Sequence, residues 1–328
     1  MRLSRAAAVF RQRGGLPRFT GAAGPSMCTM PILHSKEPER HCAAPDEEAT
    51  VVSRIGAFLG RCLHYITGHN AKYLAGLFCV VLCVLVLVLP GAYVVESPGP
   101  TQNVLGSNGG KAVISLSGAP SHTDTGKLLL VTVNAVGIPG YPVTNAQTLW
   151  GWIDPHESVI PREAVFQAGQ SAAEYRKESE GQMKGSQNSA AGAALSYART
   201  LGVKTTGVKV SMHIDDIGGP SAGMMYALGV IDKLTPRDEA GDATIAGTGT
   251  IDTAGKVGAI GGIRLKMLGA RRDGATWFLA PASNCDEVVG HVPRGLRDVK
   301  VSTLRDAYDA IVAIGAGQAR SLPHCTAR

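Results

Sequence analysis

Residues 73–89 read YLAGLFCVVLCVLVLVL, an apolar run without one charged side chain. A helix lying on a soluble core keeps a polar face toward water, and this stretch has none. Apolar character resumes after Pro90-Gly91 and lasts through Val95. The whole gives about 20 residues, enough to cross roughly 30 Å of hydrocarbon as a helix. The sequence therefore predicts one transmembrane helix over residues 71–95. A cleaved signal peptide is the rival reading, but roughly 70 residues precede the run, far beyond a normal basic leader.

Flanking charge sets the direction. Residues 1–72 hold ten Lys or Arg against five acids, with Arg54, Arg61 and Lys72 nearest the run, whereas residues 90–110 carry neither Lys nor Arg. Positive flanks stay in the cytoplasm, so the N-terminus is expected inside a cell membrane and the large C-terminal part outside it. The excess behind the net charge of +6 thus bears on topology. No basic and aromatic interleaving of the kind that grips nucleic acid is present. Cysteine placement is compatible: Cys28, Cys42 and Cys62 precede the span, Cys79 and Cys83 lie in it, and only Cys285 and Cys325 follow. An even pair in an oxidising compartment is a disulfide candidate; two unrelated thiols are the plainer alternative.

Residues 1–50 show no hydrophobic period and read as disordered. Residues 53–65 have apolar residues at helical spacing, and residues 96–110, rich in Pro, Gly and Asn, read as a linker. Residues 112–117 and 127–133 have strand character, while 134–178 give weak signals. A small-residue helix is expected over 186–201, a strand over 208–214, and a helix from Ser221 to about Lys233. Strands over 243–249, 276–280 and 299–302, with helices over 263–272 and 304–314, complete an α/β (α+β) pattern of mixed sheet and packed helices.

The chemistry concentrates in Gly219-Pro220-Ser221-Ala222-Gly223, at a strand-to-helix junction. A serine there stands at a first helical turn, where backbone N–H groups lack partners and favour developing negative charge. Pro220 fixes the turn; Gly219, Ala222 and Gly223 leave room for a substrate backbone. Serine is also a common helix cap, and the nucleophile needs a base. His213, His291 and His324 are scattered. A lysine can serve if burial strips its proton near neutral pH, and Lys266 has Ile260, Ile263, Met267 and Ala270 around it in sequence, with Met224 and Met225 on the facing helix. Arg264, Arg271 and Arg272 fit the solvent face.

The stretch from Thr248 through Gly261-Gly262 to Lys266, together with GPSAG and the helix SQNSAAGAALSYAR, resembles the proteolytic domain of the Lon proteases. The resemblance covers residues 180–315 well and 112–178 loosely. It implies a serine endopeptidase with Ser221 as nucleophile, Lys266 as general base, and Thr248 as hydrogen-bond partner of the lysine. It also implies polypeptide substrates and a ring-forming homo-oligomer. An anchor ahead of such a domain resembles the bacterial membrane-anchored Lon-like peptidases that carry a PDZ domain. Those place the PDZ module between the small-residue helix and the GPSAG strand; here residues 202–207 leave no room, and no PDZ domain is expected.

Two departures stand out. ATP-dependent Lon proteases usually have an acid three before the serine; here it is Gly218, with Asp215 and Asp216 upstream. No G-x-x-x-x-G-K-[ST] phosphate loop occurs, and residues 106–112 fall short of one. The sequence predicts an ATP-independent Ser-Lys peptidase acting on extracytoplasmic or membrane-proximal proteins, with no metal, cofactor or nucleic acid. A catalytically silent scaffold of the same fold is the alternative. The expected boundaries are a cytoplasmic arm (1–70), the membrane helix (71–95), a linker (96–111), the Lon-like domain (112–318) and a tail (319–328).

Overall fold

The computed structural model describes residues 68–122, 125–214 and 219–326, plus Ala57, Gly60, Arg61, His64 and Tyr65. Contacts divide the chain into Met1–His69 and Asn70–Arg328. In the first unit the described positions from Ala57 to Gly68 are helical, which agrees with the helical spacing of residues 53–65. The expectations for residues 1–50, and Cys28, Cys42 and Cys62, lie outside the described residues.

The second unit opens with α1 (Ala71–Val88), none of whose residues is buried. Asn70 caps it by accepting from Lys72 N–H. With a mean hydropathy of 2.5, it is long and apolar enough to cross a membrane. It stops short of residue 95, because Pro90 cannot continue it and the chain turns at once into a sheet.

That sheet has six strands in the order β12-β11-β8-β5-β1-β6. They are β1 (Tyr93–Asn103), β5 (Lys127–Val136), β6 (Ser158–Pro161), β8 (Thr244–Gly247), β11 (Trp277–Pro281) and β12 (Arg297–Val301). The strands from β12 to β5 run parallel, and β1 is antiparallel to both β5 and β6. Residues 96–111 are thus not a linker: β1 takes up their first half, and the short β2 (Ser107–Asn108) and β3 (Lys111–Ala112) form a small ladder beyond it. The Pro98-Gly99-Pro100 interruption becomes a bulge, with the register shifting between Pro98 and Thr101. A Cβ on Gly99 would collide with the side chain and backbone of Thr132, so only glycine lets β5 approach there.

Along β5, Leu128 and Leu130 face one layer and Leu129 and Val131 the other, the period-2 signature of a strand covered on both faces. On the first face lie α3 (Ala172–Thr200), α4 (Gly223–Leu234) and α7 (Leu304–Gly315), which share a core with Val104, Ile245, Leu279 and Val299. Ala190, Ala193, Ala194 and Ala198 bring α3 close against α4. On the second face α5 (Ile263–Arg272) and α6 (Cys285–Val288) pack over Ala246, Phe278 and Ala280. The fold is therefore mixed α/β. Residues 134–178 form the end of β5, helix α2 (Asn145–Ile153) and β6. Away from the main sheet, β4 (Ile114–Ser117) pairs with β7 (Lys209–Met212), and β9 (Thr250–Ile251) with β10 (Val257–Gly258).

Cys285 and Cys325 are joined by a disulfide with Cα atoms 5.0 Å apart. It holds residues 322–325 along β12, where Lys300 N–H donates to Pro323 O and Cys325 N–H to Asp298 Oδ2.

Candidate active site

Gly219 adopts φ +85°, and a Cβ there would meet nothing within 4 Å. The backbone conformation, not crowding, asks for glycine at this position. Pro220 and Ser221 follow in a turn, and α4 begins at Gly223 with Ala222 as its cap residue. The helix therefore starts two residues later than the sequence suggests. No side chain caps it, so the Ser221 hydroxyl does not have the capping role that serine commonly fills.

The turn is fastened from two sides. From α3, Ser186 Oγ donates to Pro220 O at 2.9 Å, and Gly219 N–H donates to Ser179 O at 3.3 Å. From the segment after β8, Gly249 N–H donates to Ser221 O at 2.9 Å and Met224 N–H to Gly249 O at 3.0 Å. Gly223 makes the fit possible, since a Cβ on it would come within 2.9 Å of Ser186 Oγ and Ile251 Cγ2. Among the described residues the N–H groups of Ser221 and Ala222 have no acceptor. Residues 215–218, which include Asp215, Asp216 and Gly218, lie outside the described residues.

Lys266 reaches the same place from α5. The cap residue of that helix is Gly262, held at φ +67°, where a Cβ would press on Val133 Cγ1 at 3.0 Å and Glu96 Oε2 at 3.3 Å. Gly262 thus lets α5 begin hard against β1 and β5. Ile263, Met267 and Ala270 are buried around Lys266, while Arg264, Arg271 and Arg272 are exposed. Lys266 itself is 3% exposed. Burial lowers its pKa from 10.5 to about 8, against an opposing pull from the Glu96 carboxylate. Its Nζ donates to Thr248 Oγ1 at 3.4 Å, and Thr248 Oγ1 donates to Ser221 O at 3.1 Å. A buried threonine thus links the amine to the serine's own carbonyl.

Glu96 escapes the sequence reasoning. It is the only charged residue between Lys72 and Lys111, and that isolation was the available signal. Half-buried on β1, it has its pKa raised by desolvation, with Lys266 pulling it back down. Two clefts flank the group. One of about 400 Å³ reaches Gly219 and is lined by Phe166, Gln170, Tyr175, Glu178 and Gln182. The other, about 630 Å³, is lined by Glu96, Ser158, Ile160, Gly262, Leu265 and Leu268.

A buried lysine with its pKa lowered to about 8, tied through Thr248 to the Ser221 carbonyl, suits acyl-transfer chemistry, and the comparisons with known proteins point the same way. Residues 151–314 match the family of the Lon protease (S16) C-terminal proteolytic domain. The chain is 38% identical over 135 residues to Lon protease 2 of Herpetosiphon aurantiacus, covering 37% of this chain and 16% of that protein. Against the Lon protease of Clostridioides difficile it is 37% identical over 94 residues, 29% of this chain and 12% of the relative. The mitochondrial Lon protease homolog of Scheffersomyces stipitis is 29% identical over 145 residues, 40% of this chain and 13% of the relative. The similarity thus spans less than a fifth of each relative's length.

Proposed function

The chain belongs to the Lon protease (S16) C-terminal proteolytic domain family, a family of serine peptidases, and from that we propose that it hydrolyses peptide bonds with Ser221 and Lys266. The observation that carries the residue assignment is the burial of Lys266 together with its link through Thr248 to the serine turn. Neutral Lys266 Nζ takes the Ser221 Oγ proton as Oγ bonds to the scissile carbonyl carbon. The N–H groups of Ser221 and Ala222 face the oxyanion that forms. The lysine ammonium returns its proton to the departing amine as the C–N bond breaks, leaving an ester on Ser221. Water, deprotonated by the same amine, then attacks the ester carbon and frees the serine. Thr248 holds Nζ in place throughout, and the two clefts offer room to an extended chain on either side.

The reaction proceeds without ATP, since no phosphate loop is written in the sequence. The domain faces outward from a membrane that α1 crosses. Two independent features support that side: the basic flank before α1 and the Cys285–Cys325 disulfide, which suits an oxidising compartment. Its substrates are extracytoplasmic or membrane-proximal polypeptides, and homo-oligomers are consistent with the family.

The test is digestion of casein by the full-length protein in detergent, with and without ATP, compared with Ser221→Ala. Expected is cleavage that does not depend on nucleotide and a loss of at least about 1,000-fold in the variant. Equal rates for wild type and variant, or no labelling of the wild type by a fluorophosphonate, would leave a silent scaffold as the better reading.

A further inference from the structure

Helix α2 turns its apolar side outward. Its buried positions are the small ones, Thr148 and Gly151, while Leu149, Trp150, Trp152 and Ile153 are 47, 62, 58 and 74% exposed. Close contact fixes this orientation. A Cβ on Gly151 would already lie 3.0 Å from side-chain atoms of Val95, Glu157 and Val159, so the large residues cannot rotate inward. A patch of this kind on a folded surface marks an interaction site.

Its place in the molecule says what covers it. Helix α2 starts where α1 ends. Asn145 Nδ2 donates to Val86 O at 2.9 Å, and Asn145 N–H to Leu89 O at 3.0 Å. Gly91 N–H donates to Val143 O at 2.8 Å. Val88 and Leu89 are themselves exposed, so the apolar surface of α1 continues into that of α2. Residues 137–153 carry no charged side chain. The Trp152 ring lies edge-on against Tyr93, the first residue of β1, with centroids 5.3 Å apart.

We propose that α2 lies in the headgroup layer of the same bilayer that α1 crosses, with Trp150 and Trp152 as interfacial anchors and Leu149 and Ile153 dipping toward the acyl chains. This rests on the reading of α1 as a membrane span. Tryptophan concentrates at membrane–water interfaces, where a flat apolar ring and one N–H donor both find partners. A helix of nine residues is too short to cross, and with one apolar face it lies in the interface plane. No basic residue lies in the patch, so uncharged phospholipid suffices. The peptidase domain is then seated on the membrane surface through β1, whose Val95 packs under α2 and whose Glu96 stands beside Lys266.

The test uses full-length Trp277→Phe protein, whose remaining tryptophans are both in α2, reconstituted in phosphatidylcholine vesicles. Alkaline carbonate extraction first reports whether α1 is inserted. In resistant vesicles, lipids brominated near the glycerol end of the chain should quench most of the emission, and lipids brominated near the methyl end much less. Resistance to carbonate with no bromolipid quenching overturns the seating of α2 and leaves the span intact. In that case iodide quenching shows the patch facing water, and shielding from iodide shows a second copy or another protein covering it. Release by carbonate removes the span and the seating together. Should Trp277→Phe fold poorly, the wild type gives the same readout over a constant contribution from Trp277.

Discussion

Lys266 carries both the proposed chemistry and a stability penalty. Its pKa falls from 10.5 to about 8, first because burial desolvates the ammonium, with the Glu96 carboxylate working in the opposite sense. A base acts only when unprotonated, so kcat/KM should rise with pH and level off above about 8. Glu96→Gln removes the charge that favours the ammonium. The rising limb should then move to lower pH, while a purely structural role for Glu96 would lower activity at every pH without moving the limb. A set of kcat/KM profiles on one peptide substrate decides between them. The stability sign follows from the same shift. The folded protein binds the proton more weakly than the unfolded chain, so the cost is full below about pH 8 and is relieved as pH rises toward 10.5. Taken at face value the shift corresponds to roughly 3 kcal/mol. Lys266→Met, which keeps the volume and loses the charge, should be inactive yet more stable than the wild type at neutral pH by about 1–3 kcal/mol, the lower figure allowing for the lost bond to Thr248. Urea denaturation at pH 7 and pH 10 checks it, and the advantage should shrink at the higher pH.

Among the elements, those with one pattern and one covered face were legible in the sequence. Helix α5 occupies the very residues its spacing marks, and α7 ends one residue later than expected. The first residues of β1 were absorbed into the apolar run, and the rest was hidden by Pro98, Gly99 and Pro100. Strand β6 pairs only with Tyr93–Glu96, so beyond Ser97 that side of β1 is a sheet edge, where a missing N–H goes unfelt. The early turns of α3 are polar all round and bury only Met183 before Ser186, which leaves no apolar period to read. Their available signal was the capping box of Ser171 and Glu174. In the site, Ser221, Thr248 and Lys266 were visible as motif residues. The grip of Ser179 and Ser186 on the Gly219–Ser221 turn was not, because it depends on how α3 packs. The tail is the element held covalently. The disulfide spans a sequence separation of 40, and a loop of that size stabilises by about 4 kcal/mol in the chain-entropy account. Cys325→Ser should lower the denaturation midpoint of the domain accordingly, and reductant should destabilise the wild type to the same level while leaving the variant unchanged.

At the scale of the whole molecule, α1 and the peptidase domain share a chain but not a core. No residue of α1 is buried, and neither hydrophobic cluster draws a member from it. What joins them is the pair of hydrogen bonds from Asn145 to Val86 O and Leu89 O, both at the exit of the helix. Removing residues 1–89 should therefore leave a folded peptidase. The expected loss is confined to those few bonds, on the order of 1 kcal/mol or a melting shift of about 4 °C. Cleavage of a short soluble peptide should stay within about 2-fold of the full-length rate, because Ser221, Lys266, Thr248 and Glu96 meet one another and not residues 1–89. Cleavage of a substrate tethered to vesicles should fall far more, since the enzyme and its target no longer share a surface. Unfolding of the shortened chain would mean that α1 contributes to the core in a way its exposed side chains do not suggest. Equal losses on the soluble and tethered substrates would mean that the membrane serves the catalytic site itself and not the meeting of enzyme and substrate.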